Sequence, residues 1–186
     1  QVIRAMFSKG AKMDTRNGED LDVFALALRG GDKCLKLIQF LVKKDLCSLK
    51  SRYGIAKRTP LHYAVLGNSE MVLLELFEMI GSRKSKALLK FIDTPDSEGE
   101  TAFVTACKNG CTHAVKTLID SKCDCHINKV VDAETNRTCL HIICSLKNVD
   151  EPDLLRLLCH AGYDLGKHDG SGASCIHIAA EEGNAD

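Results

Sequence analysis

The sequence predicts an all-α solenoid of stacked helix-turn-helix units. Two observations carry the prediction: a hexad motif recurs five times, and amphipathic segments of helical period follow its copies. A third is the scarcity of large rings, because aromatic residues make up 5% of the 186 residues and tryptophan is absent. Since repeated units of this kind bury their apolar faces only against their neighbours, we expect many thin aliphatic layers rather than one thick core.

The hexad motif marks the start of each predicted unit. The copies begin at residues 22, 59, 101, 138 and 174, so their spacings are 37, 42, 37 and 36 residues. In the clearest copy, 59–64, Thr59 is a typical helix N-cap. Pro60 suits the first helical position, where a missing N–H costs nothing. Each hexad therefore predicts the first helix of a unit.

A turn signal follows four of the five hexads, and a second amphipathic segment continues the unit. The turn signals are Gly30-Gly31, Gly67-Asn68, Asn109-Gly110 and Gly183-Asn184. Apolar residues then recur at the spacing of one helix face. They are Leu35, Leu37, Ile38 and Leu41, then Val72, Leu73, Leu76 and Phe77, then Ala114, Val115, Leu118 and Ile119, and finally Leu154, Leu155, Leu157 and Leu158.

This pattern resembles the ankyrin repeat, whose consensus opens with Thr-Pro-Leu-His-x-Ala. The resemblance is closest in 59–64, 138–141 and 113–124. Residues 96–101 and 169–174 match the family's Asp-x-x-Gly-x-Thr hairpin, which leads into each repeat. The resemblance covers essentially the whole chain, and it implies an ankyrin-repeat solenoid with projecting β-hairpin loops.

The resemblance implies that residues 1–186 form one array of repeats. We expect the end of a preceding repeat at 1–21, four repeats at 22–58, 59–100, 101–137 and 138–173, and the start of a truncated repeat at 174–186. The array is expected to continue in the full-length chain at both ends. Every spacing exceeds the consensus period of about 33 residues. The additional residues are expected in a basic polar stretch at 81–86 and in a longer turn at 148–152. The copy at 101 lacks both the proline and the histidine of the consensus.

The charge of the chain argues against nucleic acid as a partner. Lysine plus arginine equals aspartate plus glutamate at 25 each, whereas a protein that holds phosphates needs a basic excess. The balance hides a gradient from a basic start to an acidic end, which reflects either variation of solvated faces or different partner surfaces at the two ends. No apolar run of membrane-spanning length is present, and a cytoplasmic location is expected.

Histidines and cysteines are the candidates for chemistry. His62, His141 and His177 recur at one position of the repeat, which favours a structural role; in the family this imidazole bonds within the loop and helix start. Cys107 and Cys111 with His113, and Cys123 and Cys125 with His126, are candidate zinc ligands, but their spacing differs from the paired knuckle of zinc sites. Most of the ten cysteines fit small apolar positions. No metal or cofactor is therefore predicted, while surface thiols such as Cys125 leave redox sensitivity open.

No catalytic motif is present: the sequence has no nucleophile elbow, phosphate-binding glycine loop or His-Glu-x-x-His helix. The chain is therefore predicted to be no enzyme but a protein–protein interaction scaffold. One alternative is a regulatory or scaffold arm of a larger enzyme, trafficking protein or channel. Another is a metal- or redox-responsive module that uses the cysteines.

The resemblance also implies where a partner protein binds. In the family, partners contact the concave face, formed by the hairpin residues before the Thr and by the exposed residues after the alanine. Carried over by position, the candidates are Ile55, Ala56, Arg58, Leu66, Ser97, Glu98, Glu100, Lys108, Asn109, Glu134, Thr135, Arg137, Ser145, Leu146, Gly170, Ser171, Ala173, Glu181 and Glu182.

Overall fold

The structure, a computed structural model, describes residues 2–81, 86–121, 130–132, 134–146 and 152–183. These residues form short helices and one two-stranded sheet. The helices are α1 (Val2–Ser8), α2 (Val23–Arg29), α3 (Leu35–Lys43), α4 (Pro60–Leu66), α5 (Glu70–Ile80), α6 (Lys86–Ile92), α7 (Ala102–Lys108), α8 (Thr112–Asp120), α9 (Cys139–Cys144), α10 (Pro152–His160) and α11 (Cys175–Glu182). The strands are β1 (Val130–Asp132) and β2 (Arg137–Thr138), which pair antiparallel.

The helices form two layers that run the length of the molecule. The first helices of the units pack in the order α2, α4, α7, α9 and α11. The second helices pack in the order α3, α5, α8 and α10, and each first helix from α2 to α9 contacts the second helix of its own unit. The predicted helix-turn-helix solenoid is therefore confirmed. No helix among the described residues is long and apolar enough to span a membrane.

Each predicted hexad begins a helix at the expected residue. The N-caps are Asp22, Thr59, Thr101, Thr138 and Ser174. Three of them, Thr59, Thr138 and Ser174, form a capping box. In this motif the side chain of the N-cap residue accepts a hydrogen bond from the backbone amide of the third helical residue. The third helical residue is a histidine, and its ring accepts a hydrogen bond from the N-cap amide. The prediction that the hexads open helices is confirmed.

The predicted apolar faces of the second helices are largely buried. Leu35, Leu37, Ile119 and Leu157 are half-buried, and the burial of Leu154 and Leu155 lies outside what the structure describes. Ile38 and Leu41 of α3 are buried, as are four residues of α5 and three of α8. The α5 residues are Val72, Leu73, Leu76 and Phe77, and the α8 residues are Ala114, Val115 and Leu118. One continuous core runs between the two layers from Met13 to Ile178. This burial supplies most of the stability, because helices this short are marginal in isolation.

The hairpins share a backbone conformation that the sequence shows only in part. In all five units, the residue two positions before the N-cap has a positive φ. This residue is Asp20, Lys57, Gly99, Asn136 or Gly172, with φ values of 60°, 49°, 81°, 56° and 82°. Residues with a Cβ are strained in this left-handed conformation, whereas glycine adopts it freely. The five hairpin turns therefore share this backbone conformation whether the residue is glycine or not.

The longest spacing contains a helix. Of the expected polar insertion at 81–86, residues 82–85 lie outside the described part of the chain. The residues that follow form α6, which packs against α5 and buries Leu88 and Ile92. The extra length between the units that begin at 59 and 101 is therefore partly helical. Residues 148–151 of the expected longer turn at 148–152 also lie outside the described residues, and Pro152 begins α10.

Replacing Gly99 with alanine is expected to lower the free energy of unfolding by about 1 kcal/mol, because an added Cβ strains a left-handed residue. No atom lies within 4 Å of the position of that Cβ, so steric conflict with neighbours does not contribute. Gly18→Ala is the matched control, since its site is equally open and its φ is outside the left-handed region. Urea denaturation of both variants tests this, and equal stability would contradict it.

Candidate protein-binding face

Two pairs of neighbouring hairpin tips are joined by backbone hydrogen bonds. The amide of Ser97 donates to the carbonyl of Ala56 over 2.8 Å. The amide of Gly170 donates to the carbonyl of Thr135 over 2.7 Å. These bonds hold tips of successive units side by side, so that their side chains form one surface. We call this surface, with the ends of the first helices, the tip face.

Seven of the predicted contact residues on the tips are exposed. The most prominent is Ile55, whose accessible surface is 99% exposed. A fully exposed isoleucine contributes nothing to the core, so its whole side chain is accessible to a partner. The others are Ser97, Glu98, Glu134, Thr135, Gly170 and Ser171.

Two predicted contact residues, Arg58 and Arg137, have internal partners. The Nε of Arg58 lies 3.5 Å from a carboxylate oxygen of Asp96, and the Nε of Arg137 lies 3.2 Å from one of Asp169. Each pair joins the hairpin of one unit to the hairpin of the next. Because both arginine side chains are about one-third exposed, a partner can still reach them. Their substitution, however, would disturb the fold as well as the surface.

The aspartates of these pairs also organise their own hairpins. Oδ1 of Asp96 accepts from the amides of Glu98 and Glu100, at 2.9 and 3.0 Å. Oδ1 of Asp169 accepts from the amides of Ser171 and Ala173 and from the Ser171 hydroxyl. The hydrogen bond from that hydroxyl is the largest of the causes that lower the pKa of Asp169 well below its usual range. Both tips are therefore fixed loops rather than freely moving ones.

Most of the remaining candidates lie toward the far ends of the first helices. Lys108 and Glu100 form an ion pair, which shows that the end of α7 and its hairpin share one face. The Nδ2 of Asn109 donates to the carbonyl of Thr105, and the hydroxyl of Ser145 to that of Ile142. Leu66, Leu146, Ala173 and Glu182 are half-buried, and Glu181 is exposed. Ala173 and Glu100 lie directly before the N-caps of their helices. The residues at the far ends are separated from the exposed tips by the length of a two-turn helix, about 10 Å.

The sequence reasoning missed the equivalent positions of the first unit. Arg29 ends α2 as Lys108 ends α7, and its guanidinium lies 3.2 Å from the Glu19 carboxylate on the preceding hairpin. Leu26 is an exposed apolar residue of α2. In the same hairpin, the side chain of Asn17 accepts from the amides of Glu19 and Leu21, as Asp96 does in its own hairpin. Counting back from Asp22 to the Asn17-Gly18 turn would have found this hairpin.

Two of the three recurrent histidines, His62 and His141, tie their units to the next loop. The amide of Thr59 donates to Nδ1 of His62 over 3.2 Å, so the proton of the neutral ring is on Nε2. That nitrogen lies 3.0 Å from the carbonyl of Glu100 and donates to it. His141 repeats the arrangement, with Nε2 3.1 Å from the carbonyl of Lys167. In His62 and His141 the predicted structural role accounts for both ring nitrogens.

Comparison with known families agrees with this geometry. The family model described as ankyrin repeats, in three copies, matches residues 76–169, about half of the chain. The chain belongs to the ankyrin-repeat family. Ankyrin repeats are generally protein–protein interaction modules, and their fold is in general a non-enzymatic scaffold.

Solved structures show the same ankyrin fold. The ankyrin repeat domain of Bcl-3, described as a unique member of the IkappaB protein family, superimposes with a TM-score of 0.67. The match covers 98% of this chain and 73% of that one, at 20% sequence identity. No curated protein matches by sequence. At this identity the likeness is one of fold alone.

Five of the eight described thiols of this ankyrin array are buried as apolar side chains are, whereas Cys159 is exposed. Cys107, Cys111, Cys139, Cys144 and Cys175 are buried, and burial raises the pKa of Cys144 to about 12. A thiol protonated at neutral pH is a poor nucleophile and a poor metal ligand. Cys123, Cys125 and His126 lie outside the described residues.

Within the described part, Asp96, Glu98 and Glu100 are the one group of three potential metal ligands close together. Asp96 is paired with Arg58 and Glu100 with Lys108, so this group is largely neutralised by the array itself.

The free energy of unfolding of the array is expected to decrease as the pH is lowered from about 7.5 to 5.5. Burial lowers the pKa of His62 below 6.5, because the imidazolium is poorly solvated there. The unfolded chain then binds a proton near pH 6.5 that the folded chain does not. The contribution is complete above pH 6.5 and is lost as the pH falls toward the lower folded value. Urea denaturation across this range measures the slope, and His62→Gln should reduce it; an unchanged slope would contradict the assignment.

Proposed function

We propose that this ankyrin array is a protein-binding module whose partner contacts the tip face. The observation that carries the proposal is Ile55, an isoleucine held fully exposed at the tip of an ordered hairpin. The backbone bond between the tips places Ser97 and Glu98 of the next unit beside it. An exposed apolar anchor beside polar groups is the composition of a binding surface, where burial of the anchor provides free energy and the polar rim provides specificity.

A protein partner fits this surface better than a nucleic acid does. The exposed acidic side chains on the tips, Glu98 and Glu134, would repel phosphates. The balanced charge of the whole chain, with 25 basic and 25 acidic residues, supports the same conclusion. The free, mostly buried thiols support a reducing location such as the cytoplasm. The absence of a catalytic motif in the sequence supports a role without catalysis.

The experiment compares capture of proteins by two matched triple variants. The tip variant carries Ile55→Ala, Glu98→Ala and Glu134→Ala. The control carries Met71→Ala, Glu78→Ala and Lys116→Ala on the second helices α5 and α8, where all three side chains are exposed. Arg58 and Arg137 are left unchanged because they stabilise the hairpins.

The unaltered chain and both variants are immobilised, and bound proteins are quantified by mass spectrometry. We expect at least one protein bound by the unaltered chain to be lost from the tip variant and retained by the control. Loss from the control alone would move the binding surface to the second helices. Equal binding to all three would rule out the tip face. Thermal unfolding of both variants confirms that they fold alike.

A further inference from the structure

Three cysteines from three successive helices come together in the last two units. Cys144 is the last residue of α9, Cys159 lies in the last turn of α10, and Cys175 is the first residue of α11. The helices α9 and α11 pack side by side, and α10 packs against α9. Cys144 and Cys175 are buried, whereas Cys159 is exposed. This group, which we call the thiol cluster, therefore combines two internal thiols with one at the surface.

The two buried thiols of the cluster are hydrogen-bonded to each other. Burial is the largest cause that raises the pKa of both, and the hydrogen bond between them raises the pKa of Cys144 further while it lowers that of Cys175. A bond with these effects has the Cys144 thiol as donor and the Cys175 sulfur as acceptor. The Cys175 thiol in turn donates to the backbone carbonyl of Leu165, with its Sγ 3.6 Å from the oxygen. The two sulfur atoms are therefore held in contact.

The exposed thiol of Cys159 lies close to both buried sulfurs. After burial, its charge is among the causes that raise the pKa of Cys144 and of Cys175. Such an effect requires proximity, because the Coulomb energy of two charges falls with their distance. The buried thiol of Cys111 provides the contrast, since burial alone raises its pKa and no other sulfur contributes.

We propose that the thiol cluster is an oxidation site, at which Cys144 and Cys175 form a disulfide and Cys159 takes up the oxidant. The co-reactant is a small-molecule disulfide such as glutathione disulfide. Because the two buried sulfurs are already in contact, the bond requires a small approach of the side chains rather than a rearrangement of the fold. It joins α9 to α11 and so links the fourth unit to the fifth. The proposal does not depend on the tip face being the binding surface.

The exchange begins at the surface, because buried thiols that remain protonated react slowly. The Cys159 thiolate attacks one sulfur of glutathione disulfide, the S–S bond breaks, and one glutathione leaves as a thiolate. Cys175 then loses its proton and attacks the Cys159 sulfur, which releases the second glutathione and joins Cys159 to Cys175. Cys144 loses its proton and attacks the Cys175 sulfur, which releases the Cys159 thiolate. In total two protein thiols lose two electrons and two protons, and one glutathione disulfide is reduced to two glutathione molecules.

Disulfide mapping of the full chain tests the proposal. The folded chain is incubated with glutathione disulfide, its remaining thiols are blocked by alkylation, and it is digested without reductant for mass spectrometry. We expect a pair of peptides joined through Cys144 and Cys175, which separates on treatment with dithiothreitol. A reaction that stops at a mixed disulfide of Cys159 with glutathione would overturn the proposal, and so would the absence of any reaction.

Cys159→Ser tests the entry of the oxidant, with Cys111→Ala as the matched control. Each variant removes one thiol and leaves the buried pair in place. We expect Cys159→Ser to slow formation of the disulfide between Cys144 and Cys175 by about tenfold or more, because a buried thiol must then attack the oxidant directly. Cys111→Ala should leave the rate unchanged. Equal rates in the two variants would contradict the role of Cys159 and the proposal with it. Circular dichroism before oxidation confirms that both variants are folded.

Discussion

Replacing Gly67 with alanine is expected to destabilise the array more than any other single methyl addition considered in this protein. An alanine Cβ at this position would lie 2.4 Å from the carbonyl oxygen of Leu28 and 3.1 Å from the amide nitrogen of Gly31. Both neighbours are backbone atoms at the end of α2, which cannot rotate away as a side chain would. The turns of successive units must therefore separate, and we expect a loss of on the order of 3 kcal/mol in the free energy of unfolding.

The matched control is Gly166→Ala. The Cβ at this position meets only a carboxylate oxygen of Asp164, at an ordinary 3.4 Å, and its φ is outside the left-handed region. We expect its stability to change by less than about 0.5 kcal/mol. Urea denaturation followed by circular dichroism measures both variants. A Gly67→Ala protein as stable as the control would show that the first two units do not approach as closely as described.

His62→Ala is expected to lower the free energy of unfolding by about 3 kcal/mol, because the amide of Thr59 and the carbonyl of Glu100 lose a buried partner and a cavity remains. His62 is 0% exposed and uses both ring nitrogens. His177 occupies the equivalent position in α11, where its Nδ1 bonds to Ser174 but its side chain is exposed.

His177→Ala is therefore the matched comparison within the same motif. Its expected cost is about 1 kcal/mol, the usual value for losing one helix cap. Denaturation of the two variants under identical conditions gives the difference directly. Equal losses would mean that the Nε2 bond to the next loop adds nothing, and the imidazole would then act only as a cap.

The helices of this array could be predicted because their signals are local. An N-cap oxygen such as that of Thr59 or Thr101, followed by apolar residues at helical spacing, determines where a short helix starts and which face is buried. The helix α6 was missed for the opposite reason. Its apolar residues Leu88 and Ile92 form a buried face only because α5 lies beside them. Packing rather than propensity accounts for this helix.

The hairpins could be predicted only where glycine stands at the left-handed position. Gly99 and Gly172 are visible in the sequence, whereas Asp20, Lys57 and Asn136 adopt the same conformation without that signal. Contacts within and between hairpins, such as the bridge between Tyr53 and Arg58, stabilise it there. Such contacts are distributed over the fold and have no single sequence signature.

The candidate site was predicted as a set of positions, and the structure separates their physical roles. Ile55, Glu98 and Glu134 are exposed and available to a partner. Arg58 and Arg137, which the same positional argument selected, also join neighbouring hairpins. The sequence could not reveal this, because their partners Asp96 and Asp169 lie 38 and 32 residues away.

Photo-crosslinking from position 55 tests the binding account most directly. A photoreactive amino acid replaces Ile55 in the full-length protein, and a second protein carries it at Met71, an equally accessible apolar site on α5. After irradiation in cells, we expect a covalent adduct between position 55 and another protein, with no such adduct from position 71. Adducts from position 71 alone would contradict the account, because they would place the binding surface on the second helices.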